Sequence, residues 1–373
     1  MRLMTICATP KSAAYVIMLI VMVLAVEALS YGILILIQNQ YGLLVYDGKQ
    51  IKESRVEAYA NFDPHLGWLP RQEVDDFGAR IDASDFSNSH TCIEMYGDSF
   101  TWSAEVEKQF AWPSLISDLI GCRVLNFGVS GYGSDQALMR YLKHKDYADI
   151  VVLNHLSENI IRNVNQLRNL IYPNGQLTLK PRYIVNGNSL LYVKIPEYYP
   201  NNIKDILSYL HNEYFIPDGE SGIISSLDFP FTLTAIKFAF NHYHITAKIK
   251  REPRHMAFYN YTHPSKALAV TTKIMETFIE EAKVRNQRPL ITIVPTCRDF
   301  QYFESHSVLP YQNIIDALSQ KNISVFDFAI PMLRYETNYH ELYHECSAHP
   351  NEEGYSLMAK VFVDYLNQVG LIN

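Results

Sequence analysis

Cysteine is scarce in this chain of 373 residues: there are five, Cys7, Cys92, Cys122, Cys297 and Cys346, and no paired CxxC spacing. That excludes a disulfide scaffold and a zinc-ribbon arrangement. Charge is thin too. Only 19% of residues are charged while 48% are hydrophobic, which excludes a disordered chain and supplies ample material for a core. Positive charge is not in excess, the formal net charge being -7. The basic face of a general nucleic-acid binder is therefore missing, and no nucleic-acid partner is expected. Internal repeats and low-complexity tracts are also lacking.

One segment has almost no charge at all. From Ala14 to Ile37 the only ionisable carboxylate or base is Glu27. As a helix this run would extend about 36 Å at 1.5 Å per residue, enough for a hydrocarbon core of about 30 Å. A cleaved signal peptide, with Val26 and Ala28 before the cut, is the competing reading. The apolar run continues past that point through Leu34, Ile35 and Ile37, so an uncleaved anchor over 13–37 is favoured. Arg2 and Lys11 precede the span, whereas Asp47, Lys49, Lys52, Glu53 and Arg55 mix signs after it. Positive-inside logic puts residues 1–12 in the cytoplasm and the rest outside it, periplasmic or on the cell surface. Glu27 facing lipid would cost about 2.5–3.5 kcal/mol on insertion scales, so a partner helix is expected beside it.

Beyond a turn-rich lead-in over 38–90, the pattern becomes α/β. Apolar strands are expected at Cys92–Tyr96, Arg123–Phe127, Ile150–Leu153, Leu290–Val294 and Ser324–Phe328. Helices are expected at Trp112–Ile120, Leu138–Leu142, Ala267–Val284, Gln312–Ser319 and Glu352–Val369. Alternating strands and helices imply a parallel sheet covered on both faces, with ligands at the carboxyl ends of the strands. The stretch of about 165–262 interrupts this rhythm and reads as an insertion or cap. It holds a hairpin (Tyr183–Val185, Leu190–Val193) and a basic run of Lys248, Lys250, Arg251 and Arg254, read as a solvated loop, with binding to an anionic glycan or lipid headgroup as the alternative.

Four short stretches carry chemistry. Gly97-Asp98-Ser99-Phe100 follows the first strand and presents a serine at a strand-to-helix turn, although a glycine turn with a helix cap explains the string equally well. It is not a GxSxG elbow, because Thr101 takes the second glycine position. Asn126-Phe-Gly128-Val-Ser-Gly131-Tyr-Gly133 follows the next strand. It lacks the GxGxxG spacing of a dinucleotide site, but its glycines let backbone N–H groups approach a ligand. Ser157-Glu158-Asn159 places an amide past the third strand, as a helix cap or an oxyanion donor. His349-Pro350-Asn351-x-x-Gly354 holds a histidine at the mouth of the last helix, with Pro350 suited to the first helical turn and Glu352 and Glu353 to its dipole.

In order, these blocks resemble the SGNH (GDSL-like) hydrolase superfamily, of the membrane-anchored bacterial type. The lead-in Asp63-Pro-His-Leu-Gly67-Trp68 resembles the segment before the first block in such members. The resemblance covers about 92–159 and 289–369, within a domain over 91–373. It implies a flavodoxin-like three-layer α/β/α sandwich and an ester hydrolase with Ser99 as nucleophile and His349 as base. The Ser99 N–H, the Gly131 N–H and the Asn159 amide become oxyanion donors, and no cofactor or metal is needed. Two positions depart from the family. Ser347 and Cys346 stand where it places an aspartate, which leaves Glu345 or Glu341 as a substitute acid, or a Ser–His dyad. Ile160 stands where an aspartate usually follows the asparagine.

The expected function is thus an esterase acting on an acylated surface glycan or lipid. An O-acyltransferase to a surface polysaccharide and a non-catalytic glycan-binding protein on the same fold are the alternatives. A remoter one is a zinc peptidase, since His340-Glu341-Leu-Tyr-His344 is a literal HExxH string. Cys92 and Cys122 begin neighbouring strands, while Cys297 and Cys346 lie on loops at the opposite end. In an exported domain either pair is a candidate disulfide, with reduced buried thiols the alternative.

Overall fold

The computed structural model describes residues 10–41, 45–46, 61–70, 74–83, 90–145, 147–171, 178–196, 210, 213–215 and 225–372. Cys7, Arg2 and the charged flank from Asp47 to Arg55 fall outside them, and with these the expected charge asymmetry across the span. Pro10–Tyr41 forms one helix, α1. Its segment Lys11–Ile37, 27 residues, is long and apolar enough to cross a membrane, by a length and composition that also fit a signal sequence. Side chains from Tyr15 to Leu24 stand exposed.

The sheet has five strands: β1 (Thr91–Gly97), β2 (Arg123–Gly128), β3 (Ile150–Leu156), and, after a separate hairpin of β4 (Arg182–Asn186) and β5 (Ser189–Val193), β6 (Arg288–Val294) and β7 (Val325–Asp327). They lie in the order β7-β6-β3-β1-β2, every pair parallel. Counting only the sheet's own strands, that is the 2-1-3-4-5 order of flavodoxin-like doubly wound folds. The centre of the sheet is buried on both faces, so β3 (IVVLNHL) has no exposed residue. Its polar end, Asn154-His155, hides the strand's last turn of pleat from a hydrophobicity pattern, yet both side chains find hydrogen-bond partners, with only the Asn154 Nδ2 left buried and unbonded. Thr292 Oγ1 donates to Asn154 Oδ1 at 2.6 Å, and His155 lies between Ser134 Oγ (2.7 Å) and Tyr259 Oη (2.8 Å). Burial pushes the His155 pKa down to about 3, so it sits in the core as a neutral ring.

The first turn past β1 is α2 (Ser99–Trp102), followed by α3 (Trp112–Ile120), α4 (Ser134–Lys143) and the single turn α5 (Asn159–Arg162). Within the insertion come α6 (Phe231–Asn241) and α7 (Tyr243–Lys250). The remainder are α8 (Ala267–Val284), α9 (Cys297–His306), α10 (Gln312–Ser319), α11 (Ala329–Tyr335) and α12 (Glu352–Gln368). Helices α3, α11 and α12 pack together on one side of the sheet, and α4, α8 and α10 on the other. This is the expected three-layer α/β/α sandwich. The helix α9 contradicts the expectation of a loop at Cys297. It is opened by a capping box in which Thr296 Oγ1 accepts from the Asp299 N–H.

In the insertion the hairpin β4–β5 forms, pairing Val185 with Leu190. Helices α6 and α7 replace the expected solvated loop. Lys248 and Lys250 end α7 and Arg251 caps it, while Arg254 bonds Glu158 at 2.9 Å. Helix α6 also supplies the partner expected for Glu27. The Thr232 N–H donates to Glu27 Oε2 at 3.3 Å, and Leu34 packs against Phe238. Both candidate cysteine pairs are disulfides, Cys92–Cys122 with Cα atoms 6.2 Å apart and Cys297–Cys346 with Cα atoms 5.0 Å apart.

Candidate active site

Because the sheet is parallel, the loops after β1, β2 and β3 open on one edge. Ser99 follows β1 directly. Asp98 caps α2, its Oδ1 accepting from the Phe100 N–H at 2.9 Å, which fixes the turn and leaves the Ser99 N–H among the unpaired first-turn donors. The turn needs the neighbouring strand to come very close. A Cβ on Gly128 would lie 2.3 Å from the Trp102 backbone nitrogen, so no other residue fits there.

His349 arrives from the opposite end of the sequence. Asn351, not Pro350, begins α12: its Oδ1 accepts from the Gly354 N–H at 2.9 Å, with Glu352 and Glu353 in the first turn. Pro350 therefore precedes the helix instead of lying in its first turn. Tyr343 bridges Pro350 across the loop, and the His344 N–H donates to the His349 carbonyl at 3.2 Å. Held so, His349 Nε2 lies 2.8 Å from Ser99 Oγ.

The acid beside the imidazole is not the one expected. Glu345 is exposed and makes no recorded contact with the ring. Instead Glu105 Oε1 lies 3.0 Å from His349 Nδ1, and its Oε2 lies 3.4 Å from the His349 N–H. The two atoms are close but not aligned as a regular hydrogen bond, a looseness common in unliganded sites of this kind. Partial burial alone would raise the Glu105 pKa, but the His349 contacts outweigh it and hold the carboxyl below its ordinary value. The loop is built to hold it. Ser103 and Glu105 both take left-handed backbone, φ 62° and 70°. Arg80 of the lead-in clamps them, donating from Nη1 to the Trp102 carbonyl and to the Ser103 carbonyl (2.9 Å) and from Nη2 to the Val106 carbonyl (3.0 Å). Nothing in the string Ser103-Ala104-Glu105 announces this role.

Gly131 and Asn159 stand at the ends of the two strands flanking β1. Gly131 has φ +83°, open to glycine at little cost, and among the described residues no hydrogen bond occupies its N–H. Trp68 of the lead-in steadies this loop, its Nε1 donating to the Ser130 carbonyl at 3.0 Å. Asn159 is fully buried. Arg162 Nη1 donates to Asn159 Oδ1 at 2.9 Å, to the Tyr132 carbonyl at 2.9 Å and to Asp98 Oδ2 at 3.0 Å. Since a guanidinium can only donate, it settles which end of the amide faces it. The opposite end, Nδ2, lies near enough to Asp98 to lower that acid's pKa, yet no hydrogen bond of normal geometry holds it. Burial still leaves the Asp98 pKa above its ordinary value. Ile160, at the altered position, is wholly buried in the core.

The HExxH string does not form the helix that zinc chemistry needs. Tyr339–Leu342 is a single 3-10 turn, and Tyr343 after it is extended (φ -129°, ψ 149°), so His340 and His344 share no helical face. His340 instead sits 3.9 Å from Cys297 Sγ, beside the Cys297–Cys346 disulfide.

No family model matches this chain, and no curated protein matches it. Solved structures do. A GDSL-like lipase from Bacteroides thetaiotaomicron is 13% identical, covering 77% of this chain and 92% of that one, with a TM-score of 0.35. A member of the lipolytic protein G-D-S-L family from Veillonella parvula is 12% identical over 74% of this chain and 97% of its own, at TM-score 0.37. A psychrotrophic esterase from Pseudoalteromonas sp. is 12% identical over 75% and 97%, at TM-score 0.35. Likenesses this remote add nothing about activity, for which the reading depends on the side chains of this chain.

Proposed function

We propose that the protein is a serine ester hydrolase held at a membrane by α1, its site on the extracytoplasmic side. One observation carries the reading: Ser99 Oγ and His349 Nε2, 250 residues apart in sequence, are 2.8 Å apart, with a carboxylate on the far ring nitrogen. His349 Nε2 takes the Ser99 proton as Oγ attacks the ester carbonyl. The oxyanion draws on the Ser99 and Gly131 N–H groups and on the Asn159 amide. His349 then protonates the departing alcohol, and a water activated by the same ring releases the acyl group and restores the serine. Glu105 acts through His349, selecting the tautomer and stabilising the imidazolium.

The anchor reading rests on α1 packing against the domain at and beyond the point where a signal peptide would be cut. Ser30 Oγ lies 3.2 Å from Thr232 Oγ1, and the Tyr31 and Phe231 rings are 4.8 Å apart. Two disulfides suit an oxidising compartment. The substrate class proposed is an acyl ester on a surface glycan or a lipid. Ser99→Ala is expected to abolish turnover of a small acetyl ester by the full-length protein. Unchanged turnover in that variant would end the proposal.

A further inference from the structure

Helix α6 is apolar on opposite faces. One face meets α1 through Phe231, Ala235 and Phe238. The other carries Leu233, Ile236 and Phe240, spaced i, i+3, i+7, which are 49%, 51% and 75% exposed, and Phe229 just before the helix is 71% exposed. Two apolar faces on one helix call for apolar surroundings on both sides. Among the described residues no protein covers this outer face. Its inner face lies on the segment Lys11–Ile37, whose own side chains are exposed in the same way.

The depth of the contact matters. Glu27 lies ten residues before Ile37, about 15 Å along the helix at 1.5 Å per residue. The start of α6 is joined to α1 at that level by the Thr232 N–H to Glu27 bond and by the Ser30–Thr232 pair. Backbone donors inside a bilayer must be satisfied internally, and a carboxylate there needs a partner. Here each answers the other: the carboxylate meets a first-turn N–H at the positive end of α6. Exposed Lys237 on the outer face has a stem long enough to reach the headgroups. Lys250, Arg251 and the exposed Ile249 at the end of α7 continue the pattern of apolar surface with a basic rim.

We propose that α6 is a second membrane element, entering the leaflet on the domain's side next to the anchor, with Phe229, Leu233, Ile236 and Phe240 against acyl chains. This rests on the anchor part of the reading above and goes beyond it. A single span would leave the domain on a loose tether, whereas two packed elements fix its orientation to the bilayer. The orientation is passed on by α7, which follows α6 after one residue, and by Arg254, bonded to Glu158 directly before Asn159.

The test places tryptophan, one position at a time, in the full-length chain reconstituted in vesicles of phosphatidylethanolamine and phosphatidylglycerol with brominated acyl chains. The variants are Ile236→Trp and Phe240→Trp on α6, Leu24→Trp in the anchor and Val284→Trp on the distant surface, where Val284 is 79% exposed. Quenching is read as the excess over the parent chain, and turnover of a soluble acetyl ester checks that each variant is folded. Strong quenching at 236, 240 and 24 with none at 284 is the expected result. Quenching at 24 but not at 236 or 240 overturns the proposal and leaves the anchor standing. That includes the case where cross-linking shows a second copy of the chain covering α6. Quenching at none of these positions overturns both.

Discussion

A glutamate with φ +70° costs about 1 kcal/mol or more relative to ordinary backbone, and such outliers gather where geometry serves function. Glu105 is held there by the Arg80 clamp and the Ala104 N–H to Ser99 carbonyl bond of 2.9 Å. Losing an orienting carboxylate lets the imidazole take the wrong tautomer. Glu105→Gln is therefore expected to lower kcat by about 10²-fold or more with KM little changed, while Glu345→Gln leaves both near the parent values. The pH profile separates orientation from a merely structural role. The Glu105 pKa lies below its ordinary value in the folded chain. Its contribution is then complete above that ordinary value and is lost as pH falls through the lower folded one. The advantage of the parent over Glu105→Gln should therefore shrink as pH falls through that lower value, and a parent-to-variant ratio that stays constant into acid would refute the role. At the same scale, Asn159→Ala removes an amide whose donor end is uncommitted. A loss of about 10²–10³-fold in kcat, measured at temperatures where the variant stays folded despite losing the Arg162 bond, is expected of an oxyanion donor. A loss of stability alone would make Asn159 structural.

Elements differ in how plainly the sequence displays them. The sheet strands and most core helices are legible because their apolar runs are bounded by glycines and caps. Ser99, Gly131, Asn159 and His349 are legible because each lies next to the end of such an element. Glu105 is not, since its place depends on two left-handed residues and on an arginine twenty-five positions earlier, none of which leaves a local pattern. Helix α6 escapes notice for a different reason: with apolar residues on opposite faces it shows no single stripe for a periodicity to detect. The disulfides allow a test at this scale. Cys297–Cys346 fastens α9 to the loop three residues before His349, while Cys92–Cys122 closes the amino ends of β1 and β2, away from the site. Replacing either pair by serine should cost about 3–4 kcal/mol on the chain-entropy argument, read as a lower melting temperature. Only the Cys297→Ser/Cys346→Ser variant should also lose kcat at temperatures where both remain folded. Equal kcat in the two variants would mean that the loop positions His349 without its disulfide.

For the whole molecule, a flavodoxin-like strand order brings the ends of β1, β2 and β3 to one edge, and α12 returns the last part of the chain to it. The lead-in belongs to the same construction, with Trp68 bracing the Gly131 loop and Arg80 the Glu105 loop. Truncating the chain at the first strand would therefore remove supports of the site along with the anchor. The claim on which the account depends is that this edge holds an activated serine. Incubating the full-length protein with a fluorophosphonate and mapping the adduct by peptide mass spectrometry tests it most directly. The account predicts a single adduct on Ser99 in the parent protein and none in His349→Ala. An unlabelled Ser99 in the folded parent, or equal labelling in the two proteins, would contradict it.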